Sequence, residues 1–142
     1  MGNLENKKLI LDVKIDMDGP AYQMKGKNCE VLMIPFKGSA TGEIFNGIVE
    51  PCGVDTQVVN AANVRHMSAR YMLTGKDSTG ADAHIYVENN GWFKDGDVNM
   101  PFNTVPTFLT DSEALAGYLH TNQFIGEGIV IENQLHIRFY EV

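Results

Sequence analysis

Apolar and polar residues alternate with a period of two along most of this chain, which is typical of β-strands with two different faces. The first example is a run in which every second residue is apolar: Leu9, Leu11, Val13, Ile15 and Met17. The turn-forming sequence Asp18-Gly19-Pro20 ends this run. The pattern therefore predicts a first strand that stops just before residue 18.

Similar segments follow at regular spacing along the rest of the chain. Strands are predicted at 31–36, 43–50, 55–61, 65–74, 83–89, 104–109, 124–131 and 134–142. Asn46-Gly47 inside the second of these indicates a bulge or tight bend. Glu132-Asn133 joins the last two strands and predicts a terminal hairpin. The chain thus contains nine or ten predicted strands and no repeated unit.

One segment has helical spacing instead. Thr110-Asp111-Ser112-Glu113 predicts a capping box, in which the Thr110 side chain bonds a backbone amide of the first turn and Glu113 reaches back. Ala114, Leu115, Tyr118 and Leu119 then follow at helical intervals. These features predict one short helix near residues 111–121, ending near Asn122.

The strand count favours a closed architecture. An open sheet of this many strands would leave its edges exposed, whereas closure removes them, and Gly47, Gly126 and Gly128 are suited to the corners. We predict an all-β fold, a closed antiparallel β-barrel of about eight to ten strands, with a β-sandwich as the alternative. At 142 residues, the chain is expected to form a single domain over 1–142.

Charge and composition exclude several classes of partner. The net charge of −7, with 11 scattered Lys and Arg residues, argues against nucleic-acid binding. No apolar stretch approaches the roughly 20 residues of a transmembrane helix, so we expect no membrane association. The N-terminal segment lacks the apolar region of a signal peptide, and Cys29 and Cys52 without a glycosylation sequon fit a reducing compartment. A cytoplasmic protein is expected.

Metal and cofactor chemistry has little support in the pattern. The four histidines are not spaced as paired ligands on one element: His66, His84, His120 and His136. Cys52 has no adjacent His or Lys to activate its thiol. Gly126-Glu127-Gly128 is not followed by a helix and so indicates a bend rather than a phosphate cradle. We predict no metal site and no cofactor, and assign no catalytic residue.

Five polar side chains are candidates for ligand binding: Asp55, Gln57, Arg70, Tyr86 and Glu88. Asp55 and Gln57 lie two positions apart, so they share one strand face, as do Tyr86 and Glu88. In one interpretation, Arg70, Tyr86 and Glu88 belong to the solvated outer face. In another, polar groups line the barrel interior, where Arg70 paired with Asp55 orients an anionic or carbonyl ligand. In a third, that pair is a buried structural bridge.

Several segments, in order and spacing, resemble the bacterial family known as domain of unknown function 3237. They are residues 42–57 (GEIFNGIVEPCGVDTQ), 69–73 (ARYML), 85–91 (IYVENNG), 107–108 (TF) and 140–142 (YEV). The resemblance implies a small barrel shaped like that of allene oxide cyclase, and it aligns the family's Asp-x-Gln with Asp55 and Gln57. Its Ala-Arg-Tyr falls on residues 69–71. Many members have Gly-Gly-Gly-Asp-Trp-Gln where this chain has residues 52–57 and no tryptophan.

Three functional hypotheses follow. The first is a barrel that binds one small organic molecule. The second is a small lyase or isomerase, cyclase-like by resemblance, in which Arg70 stabilises negative charge and Asp55 or Glu88 moves a proton. The third is a structural or oligomeric module. Exposed aromatic residues in a long loop before residue 104, such as Trp92, Phe93 and Phe102, are expected to cover a barrel mouth or a second copy in a homodimer.

Overall fold

Ten strands and one helix account for most of residues 4–142, the part of the chain that this computed structural model describes. The first three residues of the predicted domain lie outside the described range. The elements in chain order are β1 (Leu9–Met17), β2 (Tyr22–Lys25), β3 (Glu30–Thr41), β4 (Phe45–Val49), β5 (Gly53–Val59), β6 (Arg65–Asp77), β7 (Asp82–Phe93), β8 (Phe102–Thr110), α1 (Glu113–Thr121), β9 (Phe124–Ile131) and β10 (Gln134–Glu141).

The strands form one antiparallel sheet that closes on itself. The order of adjacent strands is β1, β10, β9, β8, β7, β6. Both β4 and β5 then pair with β6 on one side and with β3 on the other. Pairing of β3 with β1, in which Ala40 lies opposite Val13, completes the ring. The predicted closed antiparallel barrel is confirmed, as an eight-stranded barrel with two additional strands, and the sandwich alternative is wrong.

Of two predicted local features, the terminal hairpin forms, whereas Asn46-Gly47 lies within β4 and pairs with β6 in continuous register, so the bulge or bend predicted there does not interrupt that pairing. Glu132 and Asn133 have φ angles of 51° and 66° and join β9 to β10, which confirms the terminal hairpin. At Gly47, an added Cβ would lie 2.1 Å from the Thr74 carbonyl oxygen, and at Gly75 it would lie 2.0 Å from that of Asn46. The backbones of β4 and β6 can approach this closely only because both positions are glycine.

An aromatic cluster of the core lies beneath α1. Phe139 is fully buried, and its ring meets Phe108 edge to face with ring centres 5.1 Å apart. Phe108 contacts Phe124 in the same manner at 5.3 Å, and Leu115 and Leu119 of the helix join this cluster. The helix and these rings therefore fill one end of the barrel, and the inward-facing residues at the other end are free to form a site.

The helix forms where predicted, but its cap differs. Ser112 is the N-cap, since its hydroxyl accepts a hydrogen bond from the Leu115 amide at 3.2 Å. The predicted capping role of Thr110 is wrong, because its hydroxyl donates to the His84 carbonyl at 2.6 Å and accepts from the Ser112 amide. Asn122 follows as the C-cap, as expected.

A buried carboxylate ties this cap to the turn between β6 and β7. Asp77 Oδ2 accepts a hydrogen bond from the Ser112 hydroxyl at 2.7 Å, and Oδ1 accepts from the amides of Thr79 and Ala81. Hydrogen bonds from Thr79 and Ser112 lower the pKa of Asp77 to about 2. The folded protein therefore stabilises the charged form of the Asp77 carboxyl.

We expect Asp77→Asn to lower the melting temperature by several degrees at pH 7, because the variant amide cannot accept from Ser112 and Thr79 as a carboxylate does. The folded pKa lies below the ordinary value of 3.8, so this stabilisation is present above about pH 4 and is lost as pH falls towards 2. Melting curves followed by circular dichroism between pH 2 and 7 test both points. Asp82→Asn, which replaces an exposed carboxyl at the start of β7, is the control. Equal melting temperatures for the two variants would contradict the prediction.

Candidate functional site

A cavity of about 60 Å³ lies inside the barrel at the end away from the helix. Side chains from seven strands surround it, from Ile15 near the end of β1 to Leu135 near the start of β10. Phe36, Met67 and Phe102 contribute apolar walls. Its polar lining consists of four side chains: Asp55, Tyr71, Asn89 and Thr104.

Each of these four cavity-lining residues has a buried side-chain atom with no hydrogen-bond partner among the described residues. The atoms are Asp55 Oδ1, the Tyr71 hydroxyl oxygen, Asn89 Oδ1 and Thr104 Oγ1. Leaving a buried polar atom unpaired costs about 1–3 kcal/mol, and the great majority of such atoms in folded proteins are paired. Four around one cavity indicate a site that is completed by a molecule with hydrogen-bonding groups.

Strand register brings three of these side chains together. Asp55 on β5 lies opposite Ala69 on β6, which in turn lies opposite Asn89 on β7. The carboxyl and amide therefore flank a methyl group, which leaves the space between them open. Tyr71 is two residues after Ala69 and shares its inward face. The position of the cavity thus depends on a small residue at 69.

Two glycines on β9 make room for the opposite wall. Thr104 lies opposite Gly126, where an added Cβ would be 2.1 Å from Thr104 Oγ1. Phe102 lies opposite Gly128, where the Cβ would be 2.1 Å from the ring carbon Cζ. These glycines, which we expected at barrel corners, instead let two cavity side chains lie across the neighbouring strand.

A chain of hydrogen bonds connects the Asp55 carboxyl to the barrel mouth. Asp55 Oδ2 accepts from Gln57 Nε2 at 2.8 Å, and Gln57 Oε1 accepts from Arg65 Nη1 at 2.9 Å. Arg65 also donates to the Gly96 carbonyl and to Glu30, at 2.7 and 3.3 Å. Because each partner fixes the next, the unpaired oxygen of Asp55 is held towards the cavity.

Burial sets the protonation of the two ionisable groups in the cavity. It raises the pKa of Asp55 above its usual 3.8, and the hydrogen bond from Gln57 and the charge of Arg65 oppose that rise. Burial also raises the pKa of Tyr71 well above its usual 10, so its hydroxyl stays protonated at neutral pH. Phe36 packs edge to face on the Tyr71 ring, with centres 5.2 Å apart, and holds it in place. The cavity therefore combines a carboxyl able to exchange a proton with a permanent hydroxyl donor.

Comparison with known proteins places this barrel in a family. The sequence profile of the family described as "Protein of unknown function (DUF3237)" matches residues 6–142. A UPF0311 protein of Clostridium acetobutylicum is 30% identical over 125 residues, which make up 78% of this chain and 76% of that protein. The chain belongs to the DUF3237 family. The resemblance noted in the sequence is thereby confirmed.

Solved structures extend the DUF3237 comparison to the whole barrel. A protein with unknown function from Clostridium acetobutylicum matches with a TM-score of 0.76 and 27% identity, covering 96% of this chain and 99% of that one. An enzyme from Penicillium herquei matches with a TM-score of 0.66 and 20% identity, covering 96% and 94%. The second likeness shows a shared fold alone.

The structure separates the predicted site residues of this DUF3237 protein into two groups. Asp55 and Gln57 face the interior and bond each other. Arg70 and Glu88 lie on the outer face, where Arg70 Nη2 is 2.9 Å from Glu88 Oε1 and the Arg70 side chain is 65% exposed. Tyr86 lines an outer groove with Met72. A ligand role for these three outer side chains stays a prediction.

The predicted pairing of Arg70 with Asp55 is wrong for a simple reason. Ala69 and Tyr71 point inward, so Arg70 between them must point outward. The cation connected to Asp55 is Arg65, which lies an odd number of positions from Arg70 and therefore on the opposite strand face. Arg65 and Tyr71 are separated from Ala69 by even numbers of positions, so this spacing could have identified them as residues on the same inward face of β6.

Sequence reasoning also missed Asn89 and Thr104, which have no local motif. The loop aromatics divide differently from the expectation: Phe93 packs edge to face on Phe102, while Trp92 stacks on His66 at 4.7 Å and is largely exposed.

Within residues 4–142, no helix is long and apolar enough to cross a membrane. In that same range, no three His, Cys, Asp or Glu side chains group as metal ligands.

Proposed function

We propose that this protein binds a compact, uncharged organic molecule in the barrel cavity through Asp55, Tyr71, Asn89 and Thr104. The observation that carries this proposal is the convergence of their four unpartnered buried atoms on one space. Apolar walls with a few fixed polar groups are the usual composition of small-molecule sites. The two hydroxyls can donate to a ligand oxygen, and the Asp55 and Asn89 oxygens can accept from a ligand hydroxyl or N–H group.

Size restricts the ligand. One water molecule needs about 10–15 Å³ of cavity measured this way, so about 60 Å³ accommodates a molecule with roughly as many non-hydrogen atoms as four to six waters. The best small ligands gain about 1.5 kcal/mol per non-hydrogen atom, which limits a five-atom ligand to roughly micromolar affinity. Binding should therefore be sought at micromolar to millimolar concentrations.

Charge restricts it further. None of the described residues lining the cavity is Lys, Arg or His, and Asp55 would repel an anion. Arg65 already has hydrogen-bond partners in Gln57, Gly96 and Glu30. An uncharged molecule that carries both a carbonyl and a hydroxyl matches the available donors and acceptors.

We expect hydroxyacetone to bind saturably, and Ala69→Leu to weaken that binding at least tenfold, because the larger side chain fills the space between Asp55 and Asn89. Ligand-observed saturation-transfer NMR and calorimetry measure the effect. Ala114→Leu makes the same change on the exposed face of α1 and should bind like the parent chain. Unchanged binding in Ala69→Leu would show that the ligand lies elsewhere.

An isomerase or lyase is the second candidate function, favoured by the raised pKa of the buried Asp55 carboxyl. The version of this hypothesis that used Arg70 does not hold, because Arg70 lies outside the barrel. A barrel of the same shape is described as an enzyme in Penicillium herquei, which supports the view that such a scaffold can carry catalysis.

We further propose a cytoplasmic location and a homodimer. Cys29 and Cys52 are exposed free thiols, which fit a reducing compartment. Val105 and Leu109 are exposed apolar side chains on the outer face of β8, and a second copy would cover such a surface.

A further inference from the structure

We propose that Asp55 and Tyr71 form a proton-transfer centre that enolises a small neutral carbonyl compound inside the barrel. This inference rests on the proposed ligand site, and it adds a reaction and a substrate class to it. Asp55 would act as the base and Tyr71 as the hydrogen-bond donor to the carbonyl oxygen.

Register gives the two groups a suitable separation. Asp55 lies opposite Ala69, and Tyr71 is two residues further along the same inward face of β6. The Cα atoms of diagonal neighbours on adjacent strands are about 7–8 Å apart, and their side chains are closer together. A carbonyl group and its adjacent C–H bond fit between them, since the reacting hydrogen and the oxygen of such a compound are only a few bonds apart.

The step is balanced without a co-reactant. Asp55 Oδ1, which has no partner in the described protein, removes a proton from the carbon next to the carbonyl. The C–H electron pair becomes a C=C bond, and the carbonyl π pair moves onto oxygen, which accepts hydrogen bonds from the Tyr71 and Thr104 hydroxyls. The protonated Asp55 carboxyl exchanges its proton with solvent and then delivers a proton, or a deuteron in D₂O, to the carbon, while the oxygen lone pair re-forms the C=O bond, which gives isotope exchange without net change of the compound.

The surroundings of each group suit its part in this step. Burial raises the pKa of Asp55, which makes the carboxylate a stronger base than one in water. The protonated Tyr71 hydroxyl remains a donor, and the Phe36 ring packs edge to face on the Tyr71 ring. Arg65 is a positioning residue, because it acts on Asp55 only through Gln57.

The test is hydrogen–deuterium exchange in hydroxyacetone and cyclopentanone dissolved in D₂O, followed by proton NMR. We expect the protein to accelerate loss of the signals from hydrogens next to the carbonyl, with a rate that rises with pH as Asp55 ionises. Asp55→Asn, measured at saturating hydroxyacetone so that a change in binding does not alter the rate, should lower the catalysed rate at least 100-fold and remove that rise. Tyr71→Phe should lower the catalysed exchange rate about tenfold or more. Asp82→Asn removes an exposed carboxyl at the other end of the barrel and should match the parent rate.

The outcomes separate this inference from the proposed function. Binding of either ketone without accelerated exchange overturns the proton-transfer centre and leaves the binding site in place. Absence of binding by both ketones overturns both proposals. Binding of isopropylammonium that Asp55→Asn abolishes, in place of ketone binding, would identify a cation site and overturn the carbonyl substrate. If Asp55→Asn does not fold, Ala69→Leu supplies the test, since blocking the cavity must also abolish the catalysed exchange.

Discussion

Replacing Phe139 with alanine should lower the free energy of unfolding by about 3–5 kcal/mol, the usual cost of deleting a buried aromatic ring. Phe139 is fully buried on β10, and its ring packs edge to face on Phe108. Gly126, opposite Phe139 on the neighbouring strand, has no side chain that could fill the space left by the ring. For a domain of this size the melting temperature should fall by about 10 °C or more.

Urea denaturation of the parent and variant chains measures this loss directly. Val105→Ala is the matched control, since it shortens an apolar side chain that is 60% exposed on the outer face and should change stability by less than about 0.5 kcal/mol. A loss below about 1 kcal/mol for Phe139→Ala would mean that the core beneath α1 is not packed as described.

Much of the barrel is predictable because an antiparallel strand with one solvated face repeats the same signal in every strand. The run from Leu9 to Met17 alternates cleanly, and it forms β1 with the expected bounds. Glu132-Asn133 forms the turn with positive φ angles at both residues, a conformation that Asn adopts more readily than most residues. Such features are local, so a single sequence contains them.

The site is less predictable because its strands reverse the usual rule. On β5, the polar Asp55 points inward while the apolar Val58 lies on the exposed face. On β8, Thr104 is buried and Val105 is 60% exposed. A polar side chain facing the interior is stable only where partners from other strands or a ligand receive it, and those partners depend on register. A polar residue at an inward position beside an apolar residue at an outward position would mark the site in the sequence, but only once the register identifies the inward face.

The two arginines show the same limit. Arg70 is part of the Ala-Arg-Tyr segment and attracts attention, yet it pairs with Glu88 outside the barrel. Arg65 is not part of a recognisable motif. It is connected to Asp55 because β5 and β6 pair with Val59 opposite Arg65, and this register places Gln57 within hydrogen-bond distance of the Arg65 guanidinium. Choosing between them requires knowledge of the inner face of β6, which alternation alone does not identify.

Gly128→Ala should destabilise the protein by about 1–3 kcal/mol, the usual cost of overpacking a core, and should also weaken ligand binding. Three carbon atoms of the Phe102 ring would lie within 2.1–2.6 Å of the new methyl group. The ring is buried and forms a wall of the cavity, so its displacement moves it into the proposed ligand space. Urea denaturation measures the stability loss, and calorimetry with hydroxyacetone measures the binding loss.

Gly117→Ala is the control that separates this clash from a general effect of replacing glycine. Gly117 lies on the exposed face of α1, and an added Cβ there would have no neighbour within 4 Å. Alanine favours the helix by roughly 0.5–1 kcal/mol over glycine, so this variant should be more stable than the parent chain and bind the ligand equally well. Opposite signs for the same substitution follow from position alone: one glycine leaves room for Phe102, and the other only loosens a helix. If both variants were stabilised, the Phe102 ring could not lie across β9, and the cavity would need a different wall.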